Sequence, residues 1–345
     1  MLTARCLARL RRFVVVTGSC AAIALVTPAA AASCVGSAAL KGVNLAGAEF
    51  NGKRLPGVLN KDYVYPDKAA FDHFAALGMN TVRMPVRWER LQPELNGELD
   101  ATEIGQISTA VASARANGMC LILDIHNYGM YHGDPVGSAN VPLTAFVDLW
   151  KRLASRFGDT DVLAFGLMNE PFKLPIEQWA GIAQMTVNAL RNAGSRHLLL
   201  VSGGRWSGVH DWQTNAGTTS NAMAFADFQD SARRTVIEVH QYADRDHSGT
   251  GGTCVSGGDL APMFDALAQW ARTHGQKLFL AEFGTPANPA CLAALDTMLA
   301  KTRDTQVWRG WTYWAAGKWW GAYPLSIEPR NGQDAAQTAV LKKYL

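Results

Sequence analysis

Two glutamates in this sequence each follow an apolar run, at the point where a buried strand would end. Glu170 stands in the segment Asn169-Glu170-Pro171 after the run 162–168, and Glu282 follows the run 277–281. Breaking a glycosidic bond requires one carboxyl group that donates a proton and a second that attacks or serves as a base. The pair therefore indicates a carbohydrate hydrolase.

Polar or aromatic side chains follow most of the other apolar runs as well. Any one of them has an ordinary structural explanation, such as a solvated loop acid, a hydrogen-bonded core histidine or an ion-pair partner. Their repetition after seven runs favours one shared site. The candidate substrate-binding residues are Arg83, His126, Asn127, Asn169, Trp206, His240, Tyr242 and Trp314.

Eight apolar runs predict the strands that position these residues. Most intervals between them contain an amphipathic stretch of helical periodicity, such as 104–116 or 176–193. Eightfold strand-helix alternation predicts a single-domain (β/α)₈ TIM barrel over residues 33–345, with its chemistry at the carboxyl ends of the strands. The predicted strands are 41–46, 81–85, 120–125, 162–168, 197–202, 235–239, 277–281 and 307–314.

A doubly wound α/β sheet is the alternative arrangement of such units. It is less favoured, because eight similar units close readily into a barrel and no glycine-rich phosphate-binding turn follows the first run. Gly78, Gly118, Gly194 and Gly275 precede predicted strands and indicate helix ends on the opposite face of the barrel. No linker or low-complexity tract divides the sequence after the first 32 residues.

The first 32 residues have the composition of a secretory signal peptide. They contain four arginines and no acidic residue, an apolar core at 13–26 and small residues at 29–32. The apolar core is too short to span a bilayer, so we expect an exported protein without a membrane anchor after the leader is removed. The pair Arg11-Arg12 and the nearby cysteines leave twin-arginine export and lipidation open as alternatives.

The charge balance argues against a nucleic-acid partner. Without the four arginines of the leader, 28 basic residues face 29 acidic ones, and no basic run is longer than two residues. The eleven tryptophans suit a neutral polymer better, since an aromatic ring stacks on the apolar face of a sugar. We expect a monomer.

Four cysteines follow the leader, and an oxidising destination favours at least one disulfide bond. Cys254 and Cys291 are the predicted pair, because both lie in loop or loop-edge sequence and close a segment of about 37 residues. Cys120 opens an apolar run and is typical of a small buried hydrophobic residue. A bond between Cys34 and Cys120 stays an alternative without support from spacing.

Seven short motifs are distributed over nearly the whole sequence. They are KGVNLAG at 41–47, NTVRMPVRW at 80–88, LDIHNY at 123–128, GLMNEP at 166–171, VHQY at 239–242, LAEFG at 280–284 and WTYW at 311–314. This ordered set resembles glycoside hydrolase family 5, and within it the endo-β-1,4-glucanases of the fungal type and their bacterial relatives. Asn-Glu-Pro alone is less specific, because related barrel glycosidases share it.

The resemblance implies a role for each matching residue. Glu170 would be the general acid and then the base, Glu282 the nucleophile, and Asn169 a donor to the sugar 2-hydroxyl. Arg83 and Tyr242 would hydrogen-bond the nucleophile and keep it ionised. The resemblance also implies a β-glucan substrate and no cofactor.

The remaining candidates are placed by the same resemblance. His126 and His240 would line the reacting subsite, and Trp314 would be its sugar platform. Trp206 is the other favoured platform. The further tryptophans that follow strands are Trp88, Trp212, Trp319 and Trp320.

Several other carboxylates have a structural interpretation. Asp124 and Glu238 each precede a candidate histidine by two residues, and we expect them to be buried partners of Arg83 or of the imidazoles. Asp244, Asp246 and His247 resemble a metal-binding loop, but their spacing is irregular and lacks a glycine-centred calcium pattern, so we expect them to be solvated loop charges. No metal is required, because the first strand lacks a His-x-His pair and no Glu-x-x-His or cysteine-rich ligand set occurs elsewhere.

Three functional hypotheses follow. The favoured one is a secreted, retaining endo-β-1,4-glucanase that cuts soluble or amorphous cellulose by double displacement. The second is the same barrel acting on β-mannan or mixed-linkage β-glucan. The third is a non-catalytic glycan-binding protein, which the retention of both glutamates disfavours.

Overall fold

The computed structural model of the protein describes residues 33–345. The predicted signal peptide, residues 1–32, lies outside the described residues and stays a prediction. The strands are β1 (Leu40–Leu45), β2 (Thr81–Val86), β3 (Cys120–Ile125), β4 (Met130–Tyr131), β5 (Asp134–Pro135), β6 (Leu163–Gly166), β7 (Leu199–Ser202), β8 (Thr235–His240), β9 (Leu278–Glu282) and β10 (Trp308–Ala316). All except β4 and β5 are parallel and close into an eight-stranded barrel, with β1 paired to both β2 and β10. The predicted barrel is confirmed.

Helices connect the barrel strands. They are α1 (Lys68–Ala76), α2 (Trp88–Leu91), α3 (Ala101–Ala116), α4 (Leu143–Arg156), α5 (Ile176–Asn192), α6 (Asn221–Ala224), α7 (Gly257–His274), α8 (Pro289–Lys301) and α9 (Ala336–Leu341). Capping residues set where two of these helices begin. The Asp100 side chain accepts hydrogen bonds from free backbone N–H groups in the first turn of α3, and Ser256 forms a capping box with Asp259 at the start of α7. Among residues 33–345, no helix combines the length and apolarity needed to cross a membrane.

The side chains of the barrel strands form layers inside the barrel. On β3, alternate residues share a face, so Ile122 in the lower layer lies one step below Asp124 in the upper one. The lower layer is apolar and buried, with Leu40, Ile122, Ala164, Leu200, Val236 and Phe279 in one cluster. The layer above it is polar and contains Arg83, Asp124 and Glu238, which are also buried. The fold therefore supports the strand ends with an apolar floor and a charged layer.

Two disulfide bonds tie loops to the barrel. Cys254 is joined to Cys291, between the loop after β8 and the start of α8. Cys34 is joined to Cys120, so Cys120 is not the unpaired hydrophobic residue that its apolar run suggests. The reason is tertiary: the segment before β1 crosses the bottom of the barrel, where the backbone N–H of Cys34 donates to the carbonyl of Asp161 at 2.8 Å.

Candidate active site

An open cleft of about 750 Å³ lies at the carboxyl ends of the barrel strands. Seven of the ten predicted site residues line it, and they are Glu170, Glu282, His126, Trp206, His240, Tyr242 and Trp314. The other three, Arg83, Asn127 and Asn169, are buried behind its surface. The strand ends therefore bring the predicted residues together, although not all of them reach the cleft.

The two glutamates lie close together in the cleft. Glu282 is the last residue of β9, and Glu170 follows β6 with a φ of 39°, a left-handed conformation that is unusual outside glycine. One carboxylate oxygen of each glutamate and one ring nitrogen of His240 lie within 4.8 Å of one another. The Glu170 and Glu282 side chains are only 13% and 5% exposed. Their charges are therefore weakly screened by water.

Arg83 supports this pair from the polar layer of the barrel. Its guanidinium lies 2.8 Å from Glu282, 2.9 Å from Glu238 and 3.1 Å from Asp124. Burial opposes the charge on Arg83, but the three carboxylates outweigh it and raise its pKa. The prediction that Asp124 and Glu238 are buried structural partners is confirmed.

Glu282 receives a donor on each oxygen. Arg83 Nη1 donates to Oε1 and the Tyr242 hydroxyl donates to Oε2, each at 2.8 Å. Burial alone would raise the pKa of this carboxyl, but the positive charges of His240 and Arg83 outweigh it and hold the pKa below its usual value. Glu282 is therefore an ionised carboxylate that faces the cleft, as a nucleophile must be.

Glu170 has the opposite electrostatic environment. Burial raises its pKa and the negative charge of Glu282 adds to this effect, whereas the hydrogen bond with His240 opposes it. His240 Nδ1 lies 2.8 Å from Glu170 Oε1. A carboxyl group with a raised pKa retains its proton at higher pH and can act as a general acid.

His240 connects the cleft to the charged layer. Its Nδ1 faces Glu170, and its Nε2 lies 3.1 Å from Glu238. Burial would lower its pKa, but the surrounding carboxylates, Glu282 foremost, raise the pKa to about 10. A metal ion could by distance alone be held by three atoms here, one carboxylate oxygen each of Glu170 and Glu282 and one ring nitrogen of His240. However, an imidazole protonated on both nitrogens has no lone pair to offer a metal.

Asn169 has one unpaired donor. Its side chain is fully buried, and Oδ1 accepts from Arg83 Nη2 at 2.8 Å. Nδ2 has no hydrogen-bond partner among residues 33–345. A buried amide donor without a partner costs about 1–3 kcal/mol, which a ligand acceptor would recover. The amide is therefore suited to bind a hydroxyl group of a substrate.

Aromatic side chains form one wall of the cleft around Trp314. Its ring stacks on His126 with centroids 5.6 Å apart and planes 14° apart. Trp320 meets Trp314 edge-on at 5.8 Å and stacks on Tyr323 at 4.4 Å. Burial lowers the pKa of His126 well below its usual range, so this imidazole is neutral. The wall is thus uncharged and apolar, as a sugar ring requires.

A second aromatic group is centred on Trp206. Phe172 stacks on Trp206 with centroids 4.0 Å apart and planes 13° apart, and Tyr128 lies edge-on at 6.4 Å. Trp206 is 45% exposed, which leaves part of its ring free for a ligand. Phe172 therefore fixes the orientation of a platform that faces the cleft.

Two of the predicted substrate-binding residues are buried behind the cleft surface. Asn127 is 2% exposed, and its side chain is used within the fold: Oδ1 accepts from Trp88 N and Nδ2 donates to Glu89, both at 2.8 Å. It fixes α2 against the end of β3. Arg83 is fully buried, so it influences a substrate only through Glu282 and its other partners.

The tryptophans and the loop charges also need correction. Trp88 and Trp212 are buried in the core and cannot serve as sugar platforms. Trp319 is 40% exposed but does not line the cleft, whereas Trp320 does. Asp244 is only 4% exposed and accepts backbone N–H groups of its own loop, so it is not a solvated charge.

Several residues that line the cleft are not among the predicted site residues. They are Tyr128, Phe172, His210, His247 and Tyr323. Tyr128 closes the motif LDIHNY and Phe172 follows GLMNEP, so adjacency to a motif is a signal that could have found both. The other three lie in long loops whose paths the sequence does not reveal.

The cellulase family model, glycosyl hydrolase family 5, matches residues 41–318. This chain belongs to that family. An endo-beta-1,4-glucanase of Xanthomonas axonopodis pv. citri has a solved structure that is 44% identical, with a TM-score of 0.87 over 89% of this chain and 98% of that one. Endoglucanase Cel5A of Pseudomonas stutzeri, solved with cellobiose, is 36% identical, with a TM-score of 0.81 over 92% and 95% of the two chains. Endo-beta-1,4-glucanase B of Aspergillus niger is 33% identical over 307 residues, which are 88% of this chain and 89% of that protein.

Family membership confirms the resemblance seen in the seven motifs. The protein is a glycoside hydrolase of the cellulase type, with a barrel whose strand ends carry the motif residues. The cleft supplies an ionised carboxylate, a carboxyl group with a raised pKa, an unpaired amide donor and aromatic surfaces. These are the groups that glycoside hydrolysis needs.

Proposed function

We propose that this enzyme is a retaining endo-β-1,4-glucanase in which Glu282 is the nucleophile and Glu170 the general acid and base. The observation that carries the proposal is the approach of their carboxylate oxygens to within 4.8 Å. Carboxyl groups of retaining enzymes are about 5–5.5 Å apart, whereas those of inverting enzymes are roughly 6.5–9.5 Å apart to admit a water molecule. Direct attack by Glu282 fits the shorter spacing.

In the first step, Glu282 attacks the anomeric carbon while Glu170 gives its proton to the departing glycosidic oxygen. The carbon–oxygen bond breaks, the leaving chain carries away the proton, and a glycosyl ester forms on Glu282. Arg83 and Tyr242 support this step because they hold the attacking carboxylate ionised and oriented.

In the second step, Glu170 acts as a base. Esterification removes the negative charge of Glu282, and with it one of the influences that raise the pKa of Glu170. Ionised Glu170 takes a proton from water, the resulting oxygen attacks the anomeric carbon, and the ester releases Glu282. Two inversions at one carbon give net retention. In both steps, the Asn169 side-chain amide donates a hydrogen bond to the 2-hydroxyl of the sugar. This bond satisfies the buried N–H group of Asn169.

The substrate class follows from the cleft and the relatives. The cleft is open and carries aromatic surfaces around both Trp314 and Trp206, which suits a chain that extends beyond the point of cleavage. The Pseudomonas stutzeri relative was solved with cellobiose, and the other two relatives are named endo-beta-1,4-glucanases. We therefore assign internal cleavage of soluble or amorphous β-1,4-glucan.

We also propose that the enzyme is exported and works as a monomer in the periplasm or outside the cell. Residues 1–32 have the composition of a signal peptide. The bonds Cys34–Cys120 and Cys254–Cys291 are typical of proteins that fold in an oxidising compartment.

The test incubates the enzyme with carboxymethyl cellulose, barley glucan, mannan and xylan, and measures the loss of viscosity and the formation of reducing ends for each polysaccharide. An endo-acting glucanase lowers the viscosity of carboxymethyl cellulose steeply for few new reducing ends, because each internal cut shortens a long polymer. Glu282→Gln serves as the inactive control. Faster hydrolysis of mannan would favour the mannanase alternative, and sugar release without loss of viscosity would contradict internal cleavage.

A further inference from the structure

The loop after β8 is organised around one buried carboxylate, that of Asp244. Oδ1 accepts from Gly249 N at 2.9 Å, and Oδ2 accepts from Thr250 N at 3.1 Å, Gly251 N at 2.9 Å and the Ser248 hydroxyl at 2.9 Å. Burial would raise the pKa of Asp244, but these donors outweigh it and lower the pKa. Both oxygens are therefore engaged by the loop, which Asp244 holds in one conformation.

This loop lies directly against Tyr242. Gly249 has a φ of 74°, and a Cβ added to it would come within 2.7 Å of Cδ1 of the Tyr242 ring. The Gly249 carbonyl also accepts from the Tyr323 hydroxyl at 3.4 Å. The absence of a side chain at Gly249 thus allows the backbone to lie close to the Tyr242 ring, and this close approach restricts the movement of the ring.

Tyr242 in turn positions Glu282. Its hydroxyl donates to Oε2 at 2.8 Å, and Tyr242 is only 8% exposed, so the direction of this bond depends on the packing of the ring. The contacts run without a gap from Asp244 to Gly249, from Gly249 to the Tyr242 ring, and from the Tyr242 hydroxyl to Glu282.

We propose that Asp244 is a positioning residue for the nucleophile and acts through Gly249 and Tyr242. This inference rests on the proposed role of Glu282. Asp244 does not touch the reacting atoms. It holds the loop after β8 in one conformation, and that loop restricts the Tyr242 side chain. The disulfide at Cys254 cannot replace this function, because it anchors the chain five residues beyond Gly249.

The chain offers a matched control at the other end of β8. Asp230 is also a buried loop carboxylate, which accepts from Ala232 N at 2.9 Å and Arg234 N at 2.8 Å. It precedes β8, at the bottom of the barrel and away from the cleft. Asp230 is also paired with Arg191 at 2.8 Å, so Asp230→Asn is the more disruptive change to its own loop, yet it does not reach Tyr242.

The experiment measures kcat/KM against pH on a soluble cello-oligosaccharide. The fall of kcat/KM at low pH, the acid limb of the profile, reports the pKa of Glu282. Tyr242→Phe removes the hydrogen bond from the phenol to Glu282, which raises that pKa and moves the acid limb up by about one pH unit. We expect Asp244→Asn to produce a shift in the same direction, and Asp230→Asn to leave the limb in place. Asp244→Asn in the Tyr242→Phe background adds no further shift, because both changes act on one bond.

A normal acid limb in Asp244→Asn, beside a shifted limb in Tyr242→Phe, would overturn the inference. If Asp244→Asn does not fold, Gly249→Ala decides, because it disturbs the same contact from the other side and predicts the same shift. Failure of the proposed function is distinguishable, since the wild-type enzyme would then not hydrolyse β-1,4-glucan, or Tyr242→Phe itself would leave the acid limb in place.

Discussion

At the scale of single residues, the site depends on two neighbouring carboxyl groups whose pKa values shift in opposite directions. Glu282 has two donors and two positive charges near it, which lower its pKa. Glu170 is buried beside a negative charge, which raises its pKa. The same residue type thus supplies, within one cleft, a group suited to the proposed role of nucleophile and a group suited to the proposed role of proton donor.

These shifts predict the shape of the pH profile. The nucleophile works only when ionised, so a lowered pKa extends activity to lower pH; the acid works only when protonated, so a raised pKa extends activity to higher pH. We expect a bell-shaped profile of kcat/KM, with the acid limb below the usual glutamate value of 4.5 and the basic limb above it. An acid limb above that value would contradict the assignment of Glu282.

Sequence patterns located the two glutamates of the cleft better than their supporting partners. Asn127 and Asn169 both follow strands next to a motif histidine or glutamate. Only the structure distinguishes them, because Asn127 has all its contacts inside the fold whereas Asn169 keeps an unpaired N–H. Hydrogen-bond satisfaction depends on tertiary neighbours, which a single sequence does not specify.

At the scale of elements, the proposed sugar platforms lie at two strand ends: Trp314 near the end of β10 and Trp206 in the loop after β7. Removal of the ring in Trp206→Ala should lower kcat/KM about fivefold, because one aromatic stacking contact is worth about 1 kcal/mol. Trp314→Ala should cause a larger loss, since Trp314 stands beside His126 and the reacting glutamates. Trp319→Ala is the control, because Trp319 is exposed but lies outside the cleft. Equal losses in all three variants would argue against specific platforms.

The two disulfides should differ in their effect on function. On the loop-entropy model, removal of either bond lowers the free energy of unfolding by about 4 kcal/mol. Serine replacement of Cys34 and Cys120 should reduce stability and leave kcat/KM intact, because this bond lies at the bottom of the barrel. The same replacement of Cys254 and Cys291 should reduce both, since the loop after β8 borders the cleft. The free energy of unfolding in denaturant and kcat/KM are measured for both double-serine variants. An unchanged kcat/KM in the variant that lacks Cys254 and Cys291 would contradict the expected difference.

The elements themselves were largely predictable. The run 120–125 is identical to β3, because a buried parallel strand needs a continuous apolar segment whatever its neighbours are. The bond between Cys34 and Cys120 was not predictable, since it depends on how the first residues cross the bottom of the barrel. The burial of Asp244 escaped prediction for the same reason: its loop folds back on its carboxylate.

At the scale of the whole molecule, the charged layer couples catalysis to stability. Arg83→Met leaves Asp124, Glu238 and Glu282 without their shared cation, and such uncompensated burial costs about 3–5 kcal/mol. Arg83→Met should unfold more readily at neutral pH than the wild-type enzyme does, as measured by denaturant titration. A loss below about 1 kcal/mol would show that the carboxylates do not depend on Arg83.

The pH dependence of stability should also change in Arg83→Met. In the wild type, Glu238 and Glu282 have lowered folded-state pKa values, so their stabilisation is present above the unfolded pKa and lost as pH falls through the folded one. Without Arg83 their folded-state pKa values rise, so acidification from neutral pH should recover stability. Parallel pH slopes in the two proteins would contradict this account.

The central claim is that Glu282 forms a covalent glycosyl ester, and trapping that ester tests it most directly. A 2-deoxy-2-fluoro cellobioside with a good leaving group slows both steps but the second more, so the intermediate accumulates. We predict stoichiometric inactivation and a mass increase of one fluorocellobiosyl group on the peptide that contains Glu282. A label on Glu170, or turnover of natural substrate to the inverted anomer with no label at all, would contradict the account.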